Sequence, residues 1–511
     1  MLHLATLLLL SAAGARAFQI QQPLHESSSS SSETTIKLNH EHNPLVSSEA
    51  IQGDINSKNL LKRAEKLFEI AQLGKKEYNH PTRVIGSEGH IGTLEYIYST
   101  LSSLGDYYTL SNQTFNAVVG NVFEYRLVLG DHSPPSTQAM SLTPPTPKKD
   151  AVFGQLLSVE NDGCHVSDYP TKTPKNWIAF IRRGTCAFGD KSSAAGKAGA
   201  VAAVIYNNEN GTLSGTLGQP DKNHIATFGI SNEDAQVYLK DLKAGKKIES
   251  SAYVDAIVRN TGTTNIIAQT KGGDQENCVM LGGHSDSVAE GPGINDDGTG
   301  SLTLLEIASQ LTKYSVNNCV RFAWWAGEEE GLLGSDYYVS QLSEKENLKI
   351  RLFMDYDMLA SPNYAYQVYN ATNAVNPTGS EELRDLYTDW YKSHGLNFTY
   401  IPFDGRSDYD AFIKNGIPGG GIATGAEGVK TKEEEAMFGG TAGKWFDPCY
   451  HQLCDTFDNL AVGAWELNTK LVAHSVATYA VSFKGFPERT SVKYNRIEDG
   501  PPRFHGPKLV M

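Results

Sequence analysis

Residues 278–287 read CVMLGGHSDS: a short apolar run that stops on two glycines and then presents His284 and Asp286. The pattern recurs twice downstream. Val320–Trp325 leads into Gly327-Glu328-Glu329-Glu330-Gly331, and Leu352–Met354 into Asp355-Tyr356-Asp357. Short apolar runs of this kind read as strands buried on both faces. Around them, Ser301–Tyr314, Glu381–His394 and Leu460–Phe483 predict helices, and Gly419–Ile422 predicts a further strand. Alternating strands and helices from about Asn265 to Phe483 predict an α/β fold with a mixed, mostly parallel sheet flanked by helices. In open sheets of this type, ligands bind at the carboxyl ends of the strands.

All three strands deliver histidine or carboxylate to that one edge. One acidic residue after a strand is commonly a helix cap, and one histidine is commonly structural. Three consecutive strands would require three coincidences. A further contribution comes from GPGINDDGTG at residues 291–300, a glycine-rich turn that leads into the Ser301 helix. Histidine with aspartate and glutamate, and no cysteine at the same points, suits zinc or manganese rather than copper or an iron–sulfur cluster. Two metals sharing one carboxylate make economical use of such a set.

Toward the amino terminus, Leu60, Leu61, Ala64, Leu67, Phe68 and Ala71 repeat at helical spacing, and Glu88–Leu104 predicts a second helix. A strand pair is expected at Phe115–Val119 and Val122–Leu129. Pro134, Pro135, Pro144, Pro145 and Pro147 then mark a boundary. Beyond it, to about Asp255, Trp177–Ile181 and Val201–Tyr206 read as buried strands around a small-residue helix from Lys191 to Ala198.

The chain opens with an apolar run, Leu2–Ala13, followed by Ala15-Arg16-Ala17, which reads as a secretory signal cleaved before Phe18. Residues 18–50 contain the tract Ser27–Ser32 and predict a disordered segment or propeptide. No later run approaches the ~18 apolar residues that span a bilayer, so no membrane anchor is expected. Sequons at Asn112, Asn210, Asn370 and Asn397 agree with secretion. The cysteines fall into local pairs, Cys164 with Cys186, Cys278 with Cys319, and Cys449 with Cys454, although sequence alone does not determine pairing. Cys278 and Cys319 precede two strands by equivalent offsets, which sets them side by side if those strands are adjacent and parallel; two buried free thiols are the alternative. Over its 511 residues the chain carries 44 Lys plus Arg against 58 Asp plus Glu, a net charge of −14. That balance repels phosphate backbones, so nucleic acid is not an expected partner. With 40% hydrophobic residues, a chain disordered throughout is excluded.

As a set, GGHSDS (282–287), GPGINDDGTG (291–300), WWAGEEEGLLGS (324–335), FMDYDMLASPN (353–363), FDGRSDYDAF (403–412) and DPCYHQLCDT (447–456) resemble the secreted or vacuolar dizinc aminopeptidases of the aminopeptidase Y type, the fungal-like leucine aminopeptidase 2 kind. Arg83, Gly86 and Gly89 resemble that family's amino-terminal region. Gly163-Cys164, Arg183-Gly184-Thr185-Cys186-Ala187-Phe188 and Lys191 resemble the protease-associated domain, which carries no catalytic residues. Arg183 and Lys191 are therefore expected at the surface or in packing, and His165 and His224 as structural. Together these readings divide the chain into a signal at 1–17, a propeptide or disordered segment at 18–50 and the first part of a peptidase domain at 51–130. A protease-associated insert at 131–255, the main part of the peptidase domain at 256–485 and a tail at 486–511 follow.

The same resemblance implies two Zn2+ ions per chain. His284 and Asp357 would bind one, Glu329 and His451 the other, and Asp296 would bridge them. Glu328 matches the general base, and Asp286 the carboxylate that holds the ligating imidazole. Tyr450 would donate to the oxyanion; a core tyrosine beside a disulfide is the alternative. Cys449–Cys454 would close a small loop around His451. The implied substrates are peptides with a free amino terminus, handled by a monomer. Two other readings are a carboxypeptidase of the same superfamily, with Arg406 as the candidate for the substrate carboxylate, and a non-catalytic receptor-like relative. The second is disfavoured because every ligand position is present.

Overall fold

The computed structural model describes residues 43–489; the expected signal, most of the expected propeptide and the chain from residue 490 lie outside the described residues. Two long strands, Tyr108–Leu129 and Glu249–Thr270, pair antiparallel along nearly their whole length. This ribbon serves two sheet regions. At one end, residues 249–252 pair with 152–155, and Trp177–Arg182, Ala202–Tyr206 and Thr227–Ile230 continue in parallel. At the other, residues 266–269 pair antiparallel with Asn318–Trp325, which lies parallel to Asp274–His284. Ile350–Tyr356 and Gly419–Ala423 extend that sheet in parallel, and Gln367–Tyr369 and Thr399–Ile401 close its edge. The architecture is the expected mixed, mostly parallel sheet with helices, carrying an inserted α/β unit.

The strand pair expected at 115–119 and 122–129 is one continuous strand. Its partner lies far downstream in sequence, so the pairing has no local signature. The ribbon also crosses the expected boundary at 255, since the strand Glu249–Thr270 pairs within the insert's sheet at residues 249–252 and within the peptidase sheet at residues 266–269. Ordered chain begins before residue 51: Val46 is buried, and Ser48–Asp54 is a helix capped by the Ser47 hydroxyl. Ser48 Oγ lies 2.7 Å from His474 Nδ1 on the long helix Val462–Val481. The expected tail also starts later than residue 486. Phe486 is buried, and Arg489 donates to the carbonyls of Ile350 (2.7 Å) and Gly416 (3.1 Å).

Helix Ser57–Ala71 begins at Asn56, whose side chain accepts from Asn59 N, and buries Leu60, Ala64, Leu67 and Ala71 along one face. Ser87 caps Glu88–Ser103 in the same way. These faces meet Leu305, Val320, Phe322, Leu352, Trp465 and Val472 in one core on the sheet. All three expected disulfides are present, with Cα–Cα distances of 5.9 Å (Cys164–Cys186), 4.5 Å (Cys278–Cys319) and 5.3 Å (Cys449–Cys454). Cys278 and Cys319 are register partners on adjacent parallel strands. Disulfides persist in oxidising compartments. Among the described residues, no helix is long and apolar enough to cross a membrane.

Candidate active site

Sheet register assembles the site. His284 stands opposite Trp325, and Asp355 opposite Gly282, so three neighbouring strands end together. Their following residues, Glu328, Glu329 and Asp357, meet at one edge. The turn Ile294–Thr299 brings in Asp296 and passes directly into helix Gly300–Leu311. That junction demands glycine, because a Cβ on residue 300 would sit 1.9 Å from the carbonyl oxygen of Tyr356. His451 arrives from a separate loop, at φ 58, inside the ring closed by Cys449–Cys454. Leu332 and Met358, beside the other ligand loops, also hold left-handed conformations. Strained backbone of this kind clusters at functional sites.

The side chains form two groups of potential metal ligands that share one residue: His284, Asp296 and Asp357, and Asp296, Glu329 and His451. In the first, His284 Nε2 lies 3.3 Å from Asp296 Oδ1 and 3.9 Å from Asp357 Oδ1. In the second, His451 Nε2 lies 3.1 Å from Asp296 Oδ2 and 3.1 Å from Glu329 Oε2. The two oxygens of Asp296 thus face different groups. Glu328 belongs to neither; its Oε2 is 3.9 Å from His284 Nε2. Nε2 of His284, Oδ2 of Asp296 and Oδ1 of Asp357 are buried and make no hydrogen bond, while His284 Nδ1 faces Asp286. Convergent buried lone pairs without donors are what a cation site requires.

The electrostatics agree. Burial alone would lower the pKa of His284, but the carboxylates of Asp286, Asp296, Glu328 and Asp357 outweigh it and hold the imidazole well above its usual range. His451 is raised in the same way by Glu329 and Asp296. Burial and neighbouring carboxylates push Asp357 up to about 7 against the pull of His284. Carboxylates outnumber imidazoles, and the excess negative charge calls for bound cations.

Asp286 lies with Oδ1 3.7 Å from His284 Nδ1 and accepts from the backbone of Gly327 (2.8 Å), Glu328 (3.4 Å) and Glu329 (3.3 Å). It therefore braces the loop that carries the glutamates. Tyr450 is half-buried on the wall of the cleft, its ring stacked on His451 at 3.8 Å, rather than enclosed in the core. The cleft, about 420 Å³, is floored by Asp296, Glu328, Glu329 and Asp357 and walled by Met358, Tyr369, Ile401 and Arg406.

Other supports lie within DPCYHQLCDT and FDGRSDYDAF, but those strings do not tell which group each side chain reaches. Asp455 accepts from the backbone of Asn295 (2.8 Å) and Asp296 (3.1 Å), Asp447 accepts from Asn295 Nδ2 (2.6 Å), and Ser407 donates to Asp357 (3.0 Å). Asp297 stood in view inside GPGINDDGTG, but only the neighbouring strands show that it receives backbone donors from three segments. Away from the site, Lys191 is fully buried in the insert with Nζ on the Asp162 carbonyl, and Arg183 donates to Asn207 (3.0 Å). Asn112, Asn210, Asn370 and Asn397 are all exposed.

Comparison with known proteins bears on this geometry. Residues 265–476 match the model of peptidase family M28, and residues 152–238 match that of the PA domain. The chain is 49% identical to aminopeptidase Y of Saccharomyces cerevisiae over 89% of its own length and 84% of that protein. It is 44% identical to leucine aminopeptidase 2 of Trichophyton equinum over 87% and 88% of the two chains. Among solved structures, an aminopeptidase from Aneurinibacillus sp. strain AM-1 superposes with a TM-score of 0.62 at 26% identity, covering 88% of this chain and 99% of the other. A zinc aminopeptidase from Bacillus subtilis shares the fold, with a TM-score of 0.55 at 24% identity over 84% and 96% of the two chains.

Proposed function

Because the chain belongs to peptidase family M28 and is a peptidase, we propose that it is a zinc-dependent aminopeptidase that uses two metal ions and takes residues one at a time from the free amino terminus of peptides. The observation that carries this reading is the pair of ligand groups sharing Asp296, with a carboxylate outside both, Glu328, beside them in the cleft. His284 and Asp357 would hold one zinc, Glu329 and His451 the other, and Asp296 both; the unsatisfied buried lone pairs fit that donor set. Zinc bound there supplies Lewis acidity and a water of lowered pKa.

The chain's own residues do the rest. Glu328 takes the proton of the attacking water and returns it to the leaving amine. Asp286 holds Glu328 in place through the Gly327 and Glu328 amides. Tyr450, on the cleft wall beside His451, donates its hydroxyl to the oxyanion as it develops. The acidic floor suits a substrate α-ammonium.

The same cleft argues against a carboxypeptidase. Arg406 is committed to Glu427 (3.0 Å) and Asp404 (3.2 Å), and Lys414 is paired with Asp410, so both the lysine and the arginine that line the cleft are already neutralised. The presence of every ligand likewise argues against a non-catalytic receptor-like role. The three disulfides, the exposed sequons and the amino-terminal signal reading support secretion, with a vacuolar lumen as the alternative destination.

The test follows a ten-residue peptide, free or amino-acetylated, over time. Successive loss of amino-terminal residues from the free peptide alone is expected; internal fragments or equal cleavage of the blocked peptide would refute the reading. Glu328→Gln should keep its zinc and lose roughly 10²–10⁴-fold in turnover. Glu329→Gln should lose zinc instead.

A further inference from the structure

The amino-terminal segment lies outside the residues matched to the peptidase family, yet it sends one side chain under the metal ligands. Arg83, between helices Lys75–Tyr78 and Glu88–Ser103, is fully buried. Among the described residues, all its guanidinium hydrogen bonds go to backbone carbonyls: Nε to Pro292 (2.8 Å), Nη1 to Ser285, and Nη2 to Gly293 (2.5 Å) and Asp296 (3.5 Å). Its own amide donates to Ser287 Oγ (2.9 Å), and the Thr82 hydroxyl to the Val288 carbonyl (2.9 Å).

These acceptors have a common property. Ser285 follows His284 in sequence, and Gly293 opens the turn that carries Asp296. The guanidinium therefore gathers the chain on either side of the loop joining a terminal ligand to the bridging one. The fit is close: a Cβ on Gly293 would lie 3.0 Å from Arg83 Nη2 and 2.1 Å from the Asp296 carbonyl oxygen. A planar fork with fixed donor directions can span several carbonyls at once, whereas an ammonium acts as a point charge. A buried cation is costly to desolvate, so plain space-filling is better served by an apolar residue. The carboxylates of Asp286, Asp297, Asp455 and Asp296 face this charge, which offsets part of their mutual repulsion.

We propose that Arg83 is a positioning residue for the metal centre, setting the separation of His284 and Asp296 through the carbonyls of the loop between them. The proposal rests on the ligand assignment above and adds to it a residue that touches neither metal nor substrate.

The experiment uses the full chain, stripped of metal and titrated with zinc against a chromophoric chelator, with cobalt absorption spectra recorded in parallel. Arg83→Lys keeps the charge and loses the fork. It should fold, bind zinc roughly 10–100-fold more weakly and show an altered cobalt spectrum, as expected when a group that orients ligands is lost. Arg83→Met should show a larger loss. Arg83→Lys with wild-type zinc affinity and cobalt spectrum would overturn the proposal, whatever the fate of Arg83→Met. Failure of Arg83→Lys to fold would also overturn it, by assigning Arg83 to folding alone. A wild-type chain that binds no zinc would refute the ligand assignment, and this proposal with it.

Discussion

Replacing Asp297 with asparagine preserves the shape of the side chain and removes one acceptor. In the native site Oδ1 accepts from Gly300 N (2.9 Å) and Met358 N (3.1 Å), and Oδ2 from His284 N (3.1 Å). One carboxylate thus ties the His284 strand end to the residue after Asp357 and to the start of the next helix. Burial and the Asp357 charge push this carboxyl upward, but its three backbone donors favour the ionised form. An amide offers a single acceptor oxygen. The less costly orientation keeps that oxygen on Gly300 and Met358 and turns the NH2 group toward the His284 amide, setting two donors face to face. An orphaned buried donor costs about 1–3 kcal/mol. If the loop relaxes in the metal-free protein, zinc must restore the unfavourable arrangement when it draws His284 and Asp357 together. Zinc affinity then falls about 5–150-fold, at roughly 1.4 kcal/mol per factor of ten. If the loop cannot relax, unfolding stability falls by the same amount. Zinc-competition titration and denaturant melts of metal-free Asp297→Asn measure the two losses, which together should reach about 1–3 kcal/mol. Wild-type values in both would show that the three contacts do not organise the ligands.

Further outcomes follow from the same geometry. Chelation should abolish turnover, zinc should restore it, and elemental analysis of active protein should find about two zinc equivalents; full activity with one would remove the need for a bridging Asp296. Tyr450→Phe should leave zinc content unchanged and lower kcat by roughly 10²–10³-fold, whereas a loss below about tenfold would assign the ring to packing on His451. His90 is fully buried 2.9 Å from Ser285 Oγ, and burial lowers its pKa to about 4. The unfolded chain takes up that proton first as pH falls below about 6.5, so stability is retained above 6.5 and declines by up to about 3 kcal/mol toward pH 4. His90→Gln should flatten that part of the stability curve, and an unchanged slope would exclude His90 as its source.

The parts of this protein legible in its sequence are those encoded locally. Apolar runs such as Val320–Trp325 identify buried strands, and residues with distinctive chemistry at their ends, His284, Glu328, Glu329 and Asp357, identify the edge where they meet. The offset of Cys278 and Cys319 reads correctly because equal offsets on parallel neighbours become equal heights. What tertiary structure alone decided has a different character. The pairing of Tyr108–Leu129 with Glu249–Thr270 joins segments separated by the whole insert. The commitment of Arg406 to Glu427 depends on two loops meeting at the cleft. Asp286, Asp297, Asp455 and Arg83 act on backbone amides and carbonyls, groups that all residues carry alike except that proline lacks the amide N–H. A sequence names the side chain that can donate or accept, but backbone partners have no sequence identity, and only the packing of strands and turns determines which of them it reaches.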